Sequence, residues 1–316
     1  MKSEKGAFPV PDLGPVRCGP AGWDYPHWQS VVYPKPRPPH FHPLEYLAEY
    51  FDLVEINTTF YQALRPEISR LWISRVAANP RFLFTAKLNR RFTHERLLDR
   101  EAVAAFTRGL APLAEQGRLG CLLMQFPGGF RFTEENRNFL IRLRRAFARF
   151  PLVAEMRHAS WMREEALGVL IDYHVGFCHI DPPLPCSVVS PRGWLTSGIG
   201  YARLHGRTPG DAPPRLETSL RPLGGHEYLY RIEELAEWKV RIEHLRRYAE
   251  TVFVVTTNDG GGHAVVNALQ LGALLAGGPG RAPALLQRRF PRELAGFDSG
   301  EASAPGLLTY GFSEVA

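Results

Sequence analysis

The stretch "LVAEMRHASW" (residues 152–161) begins as a buried strand and ends as something else. Leu152, Val153 and Ala154 are apolar and either small or branched, and then Glu155, Arg157 and His158 arrive within four positions. A buried charge without a partner costs several kcal/mol or neutralises itself. The strand therefore ends either at a surface or at a site, and the pattern on both sides of it decides which.

Seven other short, β-rich apolar runs share this design: "VRCG" (16–19), "LVEIN" (53–57), "FLFTAK" (82–87), "GCLLMQF" (120–126), "VGFCHID" (175–181), "YARLHG" (201–206) and "VFVVTTN" (252–258). Helical patterns separate most of them. "PEISRLWISRVAAN" opens with Pro66, a good first-turn residue, and "TEENRNFLIRLRRAFARF" has Thr133 as N-cap with Glu134 and Glu135 in the positive first turn. The interval after the sixth run, "PPLPCSVVSPRGWLTSG", holds no helical pattern and reads as an irregular crossover. Residues 206–227 read as a Gly/Pro/Arg loop inserted after the seventh. Alternating strands and helices mean parallel strands with right-handed crossovers, and eight such units predict an α/β fold, a (β/α)8 TIM-type barrel over 16–277. Residues 1–15 form an N-terminal extension and 278–316 an irregular C-terminal one. A doubly wound open sheet is the alternative, and the lack of a GxGxxG after the first strand counts against it.

The 316 residues are 45% hydrophobic, which suits one large domain or two small ones and excludes a disordered chain. No run of about 18 apolar residues offers a membrane-spanning helix, and the N-terminus lacks the apolar segment of a secretory signal. Cys18, Cys121, Cys178 and Cys186 are scattered, without CxxC or Cys/His ligand spacing. A reducing, cytoplasmic location is expected. The oligomeric state is not legible. A net charge of +6 admits phosphorylated metabolites or nucleic acid as partners.

Side chains at i and i+2 of a strand share a face. Glu55 and Asn57 therefore pair, as do Thr85 and Lys87, Glu155 and Arg157, His179 and Asp181, and Arg203 and His205. Gln125 and Asn258 add polar groups near two more strand ends. Five strands ending this way point to a polar floor at the C-terminal mouth, where barrels of this class build active sites. A self-satisfied structural network is the competing reading. Glu55, Lys87, Glu155, Arg157, Asp181, Arg203 and His205 are expected to face one cavity. Trp161, in the loop begun by His158, is either a ligand-facing ring or a plug beneath the loop.

Three chemistries fit these residue types. In "NDGGGHAVVN" (258–267), Gly260, Gly261 and Gly262 lie between the eighth strand and its helix, where backbone N–H groups and the helix N-terminus suit an anion. Arg203 and His205 are expected beside it, with Asp259 turned away to cap the helix, and a plain glycine turn is the alternative. Acid–base chemistry would use Glu155 as base, tuned by Arg157 or Lys87; Lys87 would form a Schiff base if desolvated, although an ion-pair role is commoner at a strand end. No cofactor is indicated. A divalent metal is the alternative, with Glu155, Asp181, His205 and Asp259 as candidate ligands beside Glu55 and His158, opposed by the cations between them.

Three functions follow. The first is an enzyme acting on a small phosphorylated or otherwise anionic substrate by isomerisation, cleavage or hydrolysis. The second is a nucleic-acid-binding protein or metal-dependent phosphodiesterase, suggested by "LNRRFTHER" (88–96), "RLRRAFARF" (142–150) and the aromatic residues Trp23, Tyr25 and Trp28. The third is a non-catalytic ligand-binding barrel.

In order, "GPAGW" (19–23), "VEINTTFY" (54–61), "TAKLNRRFTHE" (85–95), "MQFP" (124–127), "AEMRHASW" (154–161), "YARLHGR" (201–207), "YLYRIEELAEWKVRI" (228–242) and "TNDGGGHAVVNAL" (257–269) resemble the successive motifs of the YecE-like family, also called the domain of unknown function 72 family. The resemblance covers roughly residues 16–277. It implies a TIM-type barrel and supplies no reaction. The positions that match its strand-end motifs are Glu55, Asn57, Lys87, Gln125, Glu155, Arg157, His158, Trp161, Asp181, Arg203, His205, Asn258, Asp259 and Asn267. Pro20 and Ala21 stand where Thr and Ser are usual, Met156 replaces a common aromatic residue, and Thr257 stands where the family often has Asn.

Overall fold

The computed structural model describes residues 13–181, 193–207 and 227–300. The extension before residue 13, most of the expected irregular crossover, the expected loop insertion and the end of the tail lie outside the described residues.

Eight parallel strands make one sheet: β1 (Val16–Pro20), β2 (Leu53–Ile56), β3 (Leu83–Lys87), β4 (Leu119–Gln125), β5 (Leu152–Glu155), β6 (Val175–Asp181), β7 (Ile199–Leu204) and β8 (Thr251–Thr256). Their order is β1-β8-β7-β6-β5-β4-β3-β2, so the first strand lies beside the last. The remaining seam, between β1 and β2, is drawn together by a bridge from Ala21 to Glu55, with the Gly22 N–H donating to the Glu55 carbonyl at 2.9 Å. A Cβ on Gly19 would run into the Leu53 carbonyl, so glycine is what lets these two backbones approach. The result is a nearly closed (β/α)8 barrel.

Helices α1 (Pro43–Leu47), α2 (Pro66–Arg75), α3 (Arg90–Thr93), α4 (Arg100–Glu115), α5 (Glu134–Ala146), α6 (Glu164–Asp172), α7 (Ile232–Leu245) and α8 (His263–Ala276) lie between and after the strands. Pro66 opens α2, and Thr133 caps α5 by accepting the Asn136 N–H at 3.3 Å. Two apolar cores result. The larger lies between strands and helices. The smaller fills the barrel and includes Leu53, Cys121, Leu123, Val153, Cys178, Ile180, Tyr201, Phe253 and Val255.

The tail departs from the irregular chain expected of it. β9 (Arg281–Pro283) pairs in parallel with β10 (Asp298–Gly300), and α9 (Ala284–Arg289) lies between them. The reason is α8, which is buried along most of its length. A helix apolar on nearly every side needs cover on more than one. Ala282, Leu286, Phe290 and Leu294 join the outer core, and Gln270 Nε2 donates to the Glu293 carbonyl at 3.1 Å. Among the described residues no helix is long and apolar enough to cross a membrane.

Candidate active site

The inner core residues fix which face of each strand looks inward. Leu53, Leu123, Val153 and Tyr201 point into the barrel, and two residues further along the same strands come Glu55, Gln125, Glu155 and Arg203. Alternation therefore delivers these polar groups to the interior just above the apolar filling, at the C-terminal end.

Arg203 is their hub, and its side chain is only 1% exposed. Its Nη2 donates to Glu55 Oε1 at 2.8 Å, and its Nη1 donates to Glu155 Oε2 and to Gln125 Oε1, the latter at 3.1 Å. Glu155 Oε1 accepts from Arg157 Nε at 2.8 Å. Glu55 Oε2 accepts from the Tyr201 hydroxyl at 2.8 Å, and that hydroxyl meets Thr85 Oγ1 at 2.9 Å. His205 Nε2 lies 3.5 Å from Glu155 Oε2, and its Nδ1 lies 2.8 Å from Thr257 Oγ1. Both carboxylates are thus fully buried with partners on each oxygen, which is what their burial requires.

Lys87 stands at the edge. Its Nζ comes no nearer than 4.0 Å to Glu55, its side chain keeps 16% of its surface exposed, and the Phe60 ring lies 5.7 Å from the ammonium. His94 packs edge-on to the same ring at 5.2 Å. Tyr25 and Asn57 complete this side of the mouth: the Tyr25 hydroxyl donates to the Ala21 carbonyl at 2.9 Å and accepts from Asn57 Nδ2 at 3.2 Å.

The electrostatics follow from burial and neighbours. Burial works against the Glu155 charge, yet Arg203, Arg157 and His205 together hold its pKa well below the usual carboxylate range. Burial likewise opposes the Arg203 charge, and the two glutamates overcome it and raise its pKa. Burial, with the Arg203 charge added, pushes Lys87 down to about 8 against the opposite pull of Glu55 and Glu155. Burial pushes His205 to about 4, and burial with the Arg157 and Arg90 charges pushes His94 to about 4.

Several expected site residues lie elsewhere. Asp181 does not face the cavity: Cys178 and Ile180 are the inward residues of β6, so His179 and Asp181 face the helices. Asp181 accepts from Arg207 Nε at 3.0 Å, and Arg207 Nη1 donates to Glu234 of α7 at 2.9 Å. Trp161 is the plug rather than the ligand-facing ring, fully buried, with its Nε1 donating to the Phe130 carbonyl at 2.7 Å. His158 caps the turn Ala159–Met162 by accepting the Ser160 N–H at 3.1 Å. Asn258 and Asn267 face each other on the helix side of β8, where Asn258 Nδ2 donates to Asn267 Oδ1 at 2.8 Å and to the Tyr228 carbonyl at 2.7 Å.

The glycine turn is built for packing. Gly261 (φ 58°) and Gly262 (φ 86°) adopt left-handed conformations, and a Cβ on Gly262 would press on Val31 at 3.1 Å and Val32 at 3.2 Å. Gly262, not Asp259, occupies the N-cap position of α8. Asp259 offers its carbonyl to Trp28 Nε1 at 2.7 Å and to His27 Nε2 at 2.9 Å. Arg203 cannot reach out beside this turn as expected, because Glu55, Glu155 and Gln125 already engage both of its terminal nitrogens. The metal alternative gains nothing here: among the described residues no three His, Cys, Asp or Glu side chains gather as ligands.

The arginines of the first basic stretch are occupied, and two of the four in the second are, Arg145 and Arg149 lying on the exposed face of α5 and just beyond it. Arg90 pairs with Glu95 at 3.2 Å, Arg91 with Asp99 at 2.9 Å and Arg96 with Glu135 at 3.3 Å. Arg142 lies over Phe139, and Arg144 Nε donates to the Tyr173 carbonyl at 3.0 Å. Two groups of the mouth escape the sequence reading. Tyr201 shares the parity of Arg203 and could have been found by it. His94 sits in a loop where no periodicity operates.

The fold and the site together define a TIM-type barrel whose mouth is floored by a buried ion network. The chain belongs to the family described as "Protein of unknown function DUF72", whose family model matches residues 17–291. It is 26% identical over 279 residues to the UPF0759 protein YunF of Bacillus subtilis, covering 82% of this chain and 94% of that one. Among solved structures it resembles a DUF72 family protein of Thermotoga maritima, with 30% identity, a TM-score of 0.66, and coverage of 83% of this chain and 99% of that one. It also resembles one from Enterococcus faecalis, with 26% identity, a TM-score of 0.68, and coverage of 82% and 95%.

Proposed function

We propose that the mouth is the active site of an enzyme performing acid–base chemistry on a small anionic substrate, a phosphorylated or carboxylated metabolite. The supporting observation is how charge is sorted by depth. The carboxylates of Glu55 and Glu155 are fully buried below, whereas the amine of Lys87 sits at the accessible edge. An approaching ligand meets cations first, which suits an anion. Lys87, lowered to about 8, supplies a group that gains and loses a proton near neutral pH, and His94 and His205, lowered to about 4, stay neutral there as acceptors. The nucleic-acid reading draws less support, since most of the arginines that suggested it have local partners.

Calorimetric titration with inorganic phosphate and simple sugar phosphates tests this reading. Wild type is expected to bind, and Lys87→Met to bind at least about tenfold more weakly, in keeping with loss of a charge-assisted contact worth about 1.5–3 kcal/mol. Equal affinities in folded wild type and variant, or no binding to wild type, would remove the anion site.

A further inference from the structure

Only five of the 38 basic residues are lysine: Lys2, Lys5, Lys35, Lys87 and Lys239. Among the described residues, a fixed positive charge against a carboxylate is almost always arginine, as at Arg157–Glu155, Arg203–Glu55 and Arg207–Asp181. At the mouth, beside Glu55, it uses lysine. A guanidinium there would make a forked pair with Glu55, the arrangement arginine favours. Lys87 makes no such pair: its Nζ stays 4.0 Å from Glu55 Oε1, an oxygen already taken by Arg203 at 2.8 Å. What lysine offers and arginine does not is an amine that can lose its proton and act as a nucleophile.

We propose that Lys87 is a covalent nucleophile that forms an imine with a small substrate carrying both a carbonyl and an anionic group. This rests on the mouth being the active site and deepens that reading by naming the substrate class. The geometry around the amine suits the task. Arg203 and Arg157 flank the site as cations, Glu55 and Glu155 are engaged by those arginines and do not grip the ammonium, and the Phe60 ring lies 5.7 Å from it. Low proton affinity leaves a usable fraction of Lys87 neutral near pH 7.5.

The step balances without an oxidant or reductant. The lone pair of neutral Nζ attacks the carbonyl carbon, and the C–N bond forms as the C=O π pair moves to oxygen. That oxygen takes up one proton from the former amine and one from an acid and leaves as water, giving a protonated imine. Lys87 keeps part of its surface open to solvent, so water at the accessible edge supplies the second proton and receives the leaving water.

The test is reductive trapping on the full chain. Protein is incubated at pH 7.5 with glyoxylate or pyruvate and cyanoborohydride, and the modified lysines are located by peptide mass spectrometry. Lys87 is expected to be modified at least about tenfold faster than Lys239, because its own lowered proton affinity leaves more free amine than an ordinary lysine has. Lys239 is a fair internal reference: it is also partly exposed and also loosely paired, with Glu243 at 3.8 Å. The readout is site-resolved in wild type and needs no variant to fold. Lys87→Arg is the second arm and should lose the fast adduct, because a guanidinium cannot form the imine; phosphate affinity is read in wild type. Labelling of Lys87 no faster than Lys239 overturns the proposal. If phosphate binding persists in that case, the anion site stands and the covalent step alone is lost; if phosphate binding is also absent, both readings fall.

Discussion

The hydroxyls of Tyr201 and Thr85 meet at 2.9 Å across the barrel, between strands β7 and β3, which lie on opposite sides of the ring. The contact seals the apolar filling below from the ion network above, and Tyr201 also donates to Glu55. Tyr201→Phe leaves a buried carboxylate oxygen short of a donor. We expect a loss of about 1–3 kcal/mol in stability by urea denaturation. Thr85→Val should cost less in combination with Tyr201→Phe than alone, since the two share one contact.

Arg203 holds the network together and is not an exposed ligand contact. Arg203→Met leaves two buried carboxylates with weaker partners, and we expect about 3–5 kcal/mol of destabilisation. Adding Glu55→Gln should recover part of that loss. An Arg203→Met protein as stable as wild type in equilibrium denaturation would show that the interior is wetter than its burial implies.

Lys87 should titrate near 8 in the folded protein, against 10.5 for an ordinary lysine. Five lysines give a simple spectrum in carbon-labelled lysine NMR, so the measurement is direct. Between these two values the unfolded chain binds the proton more readily than the folded one, so the Lys87 contribution makes stability rise with pH across that window. A Lys87 signal titrating near 10.5 would contradict the depression.

His94, His179 and His205 are each pushed to about 4 from 6.5, burial being the main cause in all three. From 6.5 down to about 4 the unfolded state takes up protons that the folded state refuses, so stability falls as pH falls through that range. Asp52, raised to about 6 by burial, acts in the opposite sense between about 6 and 3.8. Urea denaturation at several pH values should show a net loss towards pH 4, and His205→Gln should flatten the slope.

Periodicity made the barrel legible, because apolar runs and capped helices alternate in a form that few folds accommodate. The polar floor was legible for Glu55, Gln125, Glu155 and Arg203 because Leu53, Leu123, Val153 and Tyr201 two positions earlier mark the inner face, and for Lys87 because it shares its face with Thr85 and Leu83. It was not legible on β6, where all seven residues are buried and no alternation distinguishes His179 and Asp181 from Cys178 and Ile180. Trp161, Asn258 and Asn267 match family motifs, but a motif does not distinguish a residue that braces a loop from one that touches a ligand. Gly262 is ambiguous for a similar reason: freedom from a Cβ serves close packing against Val31 and Val32 as well as it would serve a phosphate. The ordered tail was hidden because its cause lies in α8, which needs cover on its outer side.

The hub of the network also bears on how the chain is made. Glu55 and Glu155 leave the ribosome on the second and fifth strands, and the arginine that neutralises both arrives only on the seventh. Before then Glu155 has Arg157, and Glu55 has only the distant Lys87. A six-stranded nascent sheet cannot dry its interior without stranding a carboxylate, so water stays inside until β7 is in place. Contacts this far apart in sequence also form late and slowly. Arg203 is thus placed to act as a completion signal: a chain cut short before β7 is expected to stay hydrated within and to be cut readily by protease, as limited proteolysis of such a truncation would show.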